Sequence, residues 1–151
     1  DQASSLGIVV VAAGIANVIS SPFWGRFSDR SSRGMMIAVA LLGIVNIGLM
    51  LSFQFWPDAI RTVYGFSLLL MIQVIAHAGA RLSRKTYLLD FAPEKERPLY
   101  VSLSNTMIGG FTLVAAALGT IATIWSVEGM LITYSLLLAG AALLGTRLKG
   151  A

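Results

Sequence analysis

The stretch GRFSDRSSRG, Gly25 to Gly34, places three arginines and an aspartate within ten residues. The run before it, LGIVVVAAGIANVISSPF (residues 6–23), carries no charge. Neither does the run after it, MMIAVALLGIVNIGLMLSFQF (residues 35–55). A helix crosses the hydrocarbon of a bilayer in about 20 residues at about 1.5 Å each. Two uncharged runs of that length around a short charged turn read as a transmembrane helical hairpin. The arginines hold the turn in water. The aspartate among them needs a separate reason.

The rest of the chain follows the same pattern. Of its 151 residues 56% are hydrophobic and 12% charged, against about a quarter charged in soluble domains. Mean hydropathy is +0.79. Three further runs qualify as spans: residues 60–80, 99–125 and 129–148. None shows the period-two alternation of a membrane strand, and the backbone in lipid is satisfied only by helices or closed barrels. The expected fold is all-α, a polytopic bundle of five transmembrane helices in one partial unit, residues 1–151. Its first partner is the lipid bilayer. The net charge of +4 is no nucleic-acid signal, because the basic residues sit between oily runs, where membrane proteins keep them. With no cysteine and one histidine, no metal site, cofactor or disulfide frame is implied. No HExxH, GxSxG or phosphate-loop motif is present, so no catalytic residue is assigned and an enzyme is not expected.

Orientation follows from the basic residues. Arg26, Arg30 and Arg33 follow span one. Arg81, Arg84, Lys85, Lys95 and Arg97 follow span three, and Arg147 and Lys149 close the chain. The other side holds only Arg61 beside Asp58, with Asp1 and Glu128. Positive residues favour the cytoplasm. The expectation is a multi-pass protein of the cell membrane with its N-terminus outside and its C-terminus inside. Trp24, Trp56 and Trp125 sit at span ends, as interface anchors do. The opening DQASSLG has no initiator Met, basic region or cleavage site. Five spans starting outside suit a six-helix unit without its first helix, a piece of a longer protein.

Gly25-Arg26-Phe27-Ser28-Asp29-Arg30-Ser31-Ser32-Arg33 resembles the loop signature of the major facilitator superfamily, Gly-x-Leu-x-Asp-Arg-x-Gly-Arg-Arg/Lys. That loop lies between the second and third helices of each six-helix half. Gly25, Asp29, Arg30 and Arg33 match; Phe27 replaces Leu and Ser32 replaces Gly. The run RKTYLLDFAPEKERPLYVSLSN is similar to the family's turn before the fifth helix of a half. The resemblance implies half of a secondary active transporter that moves a small solute by alternating access. The short tail RLKGA and the lack of a mid-helix arginine in span three point to the second half, with a first half as the alternative. Its remaining partner is then the N-terminal half of the same transporter. The competing reading is a non-transporting scaffold or receptor of the same architecture.

The resemblance also implies roles. Spans one and four would meet the other half, span three would line the cavity, and spans two and five would face lipid. Asp29 would hold the cytoplasmic side closed by facing a helix N-terminus of the other half, where free N–H groups favour a carboxylate. Gly25 would let the helix end pack closely. Arg30 and Arg33 would bridge to a carboxylate on a nearby turn, with Asp90 the nearest by topology.

On span four, Ser102, Asn105, Gly109, Thr112, Ala116, Gly119 and Thr123 share a face at helical spacing. All are small or polar, as a close helix seam requires. Leu103, Met107, Val114, Leu118, Ile121 and Trp125 share the other. In span three Gln73 and His77 lie four apart, with Arg81 and Arg84 continuing the stripe. Polar groups at depth face protein or water. Gln73 and His77, with Asn17 of span one and Asn105 of span four, are the candidate cavity residues. Each has a plainer alternative: Gln73 or Asn17 bonding a neighbouring helix, His77 near the headgroups, and Asn105 in a static helix–helix seam. No carboxylate lies inside any span. A proton route, where one is used, therefore passes through His77 or through parts of the protein outside this chain.

Overall fold

A computed structural model describes the backbone of residues 2–121 and 126–148 and most of its side chains from Leu6 onward. Five helices form, α1 (Gln2–Ser28), α2 (Ser32–Ser52), α3 (Val63–Phe91), α4 (Arg97–Ile121) and α5 (Val127–Arg147), with 3-10 turns at Phe53–Phe55 and Glu94–Glu96. All five are long and apolar enough to span a membrane, and the described residues contain no strand. Thr123 and Trp125 lie outside the described residues, as do the side chains of Leu118 and Ile121.

Local chemistry explains the starts. The Ser31, Thr62 and Ser126 hydroxyls accept from the backbone N–H of Gly34, Gly65 and Gly129, capping α2, α3 and α5. Two helices outrun their apolar spans. α1 continues through Pro22 to Ser28, so the charged stretch turns only at Asp29–Ser31. Pro22 removes one backbone donor, but contacts beyond it hold the helix on. The Trp24 indole donates to the Ile75 carbonyl at 2.8 Å, and the Ser28 hydroxyl donates to Thr86 Oγ1 at the same distance. α3 has 29 residues, about 43 Å at 1.5 Å each, against about 30 Å of hydrocarbon. Arg81, Arg84, Lys85 and Asp90 therefore ride on its last turns, where the apolar span had suggested a loop.

The packing order is α1, α3, α2, α5, with α4 lying beside α3 and α5 and touching both lightly. α1 runs parallel to α3; α2 is antiparallel to α3 and α5. α2 was expected among the outer, oily helices. Instead it lies between α3 and α5, although Leu41, Val45 and Gly48 stay exposed. Small residues set the seams. A Cβ on Gly43 would lie 3.0 Å from Leu138 of α5, and one on Gly145 3.1 Å from Ile37 of α2. The tightest approach between helices is at Gly79 of α3, where a Cβ would lie 2.6 Å from Val39 and 2.7 Å from Trp24. Trp24, Met35 and Val39 form the buried core there, with Phe27, Leu42, Ile75, Ala78 and Leu82 packed around them. Trp24 is only 4% exposed. It is a core residue, not an interface anchor, because Gly79 leaves room for its ring. Trp56, half-buried, donates to Ser52 Oγ at 3.1 Å at the opposite end.

Candidate functional site

The charged turn rests on that core. Phe27, which stands at the signature's leucine position, packs against the Trp24–Met35–Val39 cluster, its ring edge-on to Trp24 at 6.1 Å. Ser28, a position that the motif leaves open, is buried and ties α1 to Thr86 of α3. The turn is therefore anchored from beneath by residues that the pattern alone gives no reason to select. The Asp29 N–H bonds to the Gly25 carbonyl at 3.1 Å and the Arg30 N–H to the Phe27 carbonyl at 3.1 Å. Both side chains are exposed. A Cβ on Gly25 would meet nothing within 4 Å, so whatever Gly25 admits is not supplied by the described residues.

The expected bridge from Arg30 or Arg33 to Asp90 does not form. Arg33 donates to the Thr146 carbonyl at the end of α5. The last carbonyls of a helix lack intrahelical partners and carry partial negative charge, so a guanidinium suits them. Asp90 is exposed on the last turn of α3. Among the described residues the single ion pair is Arg61–Asp58, at 3.4 Å, at the opposite end.

The four candidate cavity residues do not converge. Gln73 is half-buried and its Oε1 accepts from Asn46 Nδ2 at 2.9 Å. Asn46 is wholly buried, with Oδ1 lacking a partner among the described residues. This amide pair joins α3 to α2. Its sequence signal is two lone amides at similar depth in consecutive spans. His77 is exposed. Asn17 is exposed and donates to the Ala13 carbonyl at 3.1 Å. It lines a recess of about 380 Å³ between α1 and α3 with Ser21, Trp24, Arg81 and Lys85. Asn105 lines another, of about 280 Å³, between α3 and α4 with Arg84, Lys85 and Ser104. There Arg84 reaches Ser104 Oγ at 3.4 Å.

α4 is the least covered helix. The 18-residue membrane-length stretches of α4 and α5 both lack buried residues, but α4 is exposed at nearly every described position while α5 is half-buried at many. Ser102, Asn105, Gly109 and Thr112 are as open as Leu103 and Met107 on the other face. A helix with a small, polar face at membrane depth needs a protein neighbour on that face. α1, also rich in small residues, leaves Asn17, Val18 and Ser21 exposed.

A family model described as Major Facilitator Superfamily matches residues 2–149, nearly the whole chain. The chain belongs to the major facilitator superfamily. No curated protein and no solved structure matches it. Members of this superfamily are membrane transporters rather than enzymes. The five membrane-length helices and the anchored charged turn are the features of the chain that bear on such a role.

Proposed function

We propose that the chain is the second half, without its first helix, of a secondary transporter that moves a small solute by alternating access. The observation that carries this reading is α4. It is a full membrane-length helix with a small, polar face that stays exposed among the described residues. A second half-bundle would cover it and would meet the exposed polar side of α1 as well. The clustering of basic residues at this end supports a cytoplasmic Gly25–Gly34 turn.

In this reading the turn is a latch. Asp29 projects from a rigid base, since Ser28 is bonded to Thr86 and Arg33 to Thr146. Across the half–half boundary it faces a helix N-terminus, an attraction of about 0.3–1 kcal/mol. That is little for stability but enough to bias a gate that opens every cycle, since 1.4 kcal/mol is tenfold.

Asp29→Asn in the full-length protein keeps shape and removes charge. Cysteine accessibility at Ser102, on the cytoplasmic half of α4, reads the gate; this chain has no native cysteine. The expected result is higher labelling, by a factor of a few, with transport reduced. Equal labelling with normal transport would leave the arginines as topology markers and remove the latch. Absence of solute uptake by the full-length protein in vesicles would favour the scaffold reading.

A further inference from the structure

α1 and α3 run side by side in the same direction, and the seam between them opens at two levels. Toward the Trp56 end the opening, about 580 Å³, is lined by apolar side chains such as Val11, Ile15, Leu68 and Met71, with the buried Ser67 hydroxyl. Toward the charged turn it is lined by Asn17 and Ser21 of α1 and by Arg81 and Lys85 of α3, with Trp24 at its back. The second opening, about 380 Å³, falls within the roughly 300–1,000 Å³ range of small-molecule sites.

We propose that this polar recess binds the anionic group, a carboxylate or phosphate, of the solute, so that the substrate is a small anion. The inference rests on the transport reading above.

Arg81 and Lys85 are four apart on one helix, a spacing at which like charges repel. Neither takes part in an ion pair among the described residues. Asp90, Glu94 and Glu96 follow closely in sequence without neutralising them. The facing wall is neutral and able to donate. Asn17 uses one amide hydrogen on Ala13 and keeps the other. Two cations and an amide donor around one opening match an anion's need for charge and hydrogen bonds, and the guanidinium adds a two-pronged fit to carboxylate or phosphate. A topological preference for positive charge explains cations at this end of the bundle. It gives no reason for two of them to share a recess with the polar residues of α1.

The test labels the recess directly. Ser21→Cys in the full-length protein, with any cysteine outside this chain replaced, is reconstituted in phosphatidylcholine vesicles and its maleimide labelling rate measured. The probes are benzoate, citrate and glucose 6-phosphate, set against benzamide and glucose. The expected result is slower labelling with at least one anion and none of the uncharged solutes. Arg81→Gln and Lys85→Gln should each weaken that protection about tenfold. Arg26→Gln, a charge lost at the same end outside the recess, should leave it unchanged. Four results overturn the inference: no protection by any anion, equal protection by uncharged solutes, equal weakening by Arg26→Gln, or protection only when phosphatidylglycerol is added. The last would assign the recess to a lipid headgroup. Labelling needs no turnover, so solute uptake in the same vesicles is scored separately. Uptake without anion protection rejects this site and keeps the transporter; anion protection without uptake does the reverse.

Discussion

Gly79→Ala adds one methyl group at the tightest helix–helix approach among the described residues. The new Cβ would stand 2.6 Å from Val39 Cγ2 and 2.7 Å from Trp24 Cε2, where carbon atoms prefer about 3.5–4.0 Å. The deficit is about one ångström against two helices at once. The indole cannot swing aside freely, because its N–H is bonded to the Ile75 carbonyl at 2.8 Å. Overpacking of this kind costs about 1–3 kcal/mol. Alanine is also a better helix former than glycine, by about 1 kcal/mol. Gly25→Ala cancels that second effect, since Gly25 is helical too and its Cβ would meet nothing within 4 Å. Gly79→Ala should therefore be less stable than Gly25→Ala by about 1–3 kcal/mol. Unfolding in mixed micelles, followed by helix content and by indole fluorescence, measures the difference. Val39→Ala removes the nearest clashing methyl and should recover part of the loss when combined with Gly79→Ala. Equal stability of the two glycine variants, or no rescue by Val39→Ala, would refute the packing described for α1, α2 and α3.

Asn46→Leu and Gln73→Leu, alone and together, should show a coupling of about 0.6 kcal/mol, at most about 1.7, as amide bonds between membrane helices do; additive effects would deny the pair. If Gln73 serves the cavity as well, Gln73→Leu should alter substrate affinity or turnover with expression near normal, whereas unchanged kinetics would confine it to packing. Ser28→Ala should loosen the base of the charged turn, raising proteolytic or hydrogen-exchange susceptibility at Asp29–Ser31 while Thr86→Ala does the same; a rigid turn in both variants would show that the Ser28–Thr86 bond is dispensable.

Hydropathy and charge determine much of this protein by themselves. Five apolar runs bounded by charge, Pro or Gly, none alternating with period two, satisfy their backbones in lipid as helices, and the serine and threonine caps are local chemistry. The reading of a turn within GRFSDRSSRG needed nothing beyond its two oily flanks, although only Asp29–Ser31 leave helix, and the superfamily it resembles is the one whose model matches residues 2–149. Helix ends were less legible. The first apolar run stopped at Phe23, and Arg81 looked like the start of a loop. Contacts made by Trp24 and Ser28, and the reach of α3 beyond the bilayer thickness, carried both helices further.

Apart from the small, polar face of span four, faces were decided by tertiary structure, and the cause is physical. In water a buried face must be apolar and an exposed one polar, so periodicity marks the core. In lipid both faces are apolar, because acyl tails are as oily as leucine side chains. Nothing in the pattern separates Val39, buried against Gly79, from Val45, which is exposed. Trp24 reads as an interface anchor until its ring is seen seated on Gly79. Asn46 reads as an isolated amide in an outer helix until α2 is found between α3 and α5, with Gln73 beside it. Arg33 reads as a partner for a carboxylate until the end of α5 arrives within reach. Each assignment depends on which helix lies alongside, and that neighbour comes from a distant part of the chain.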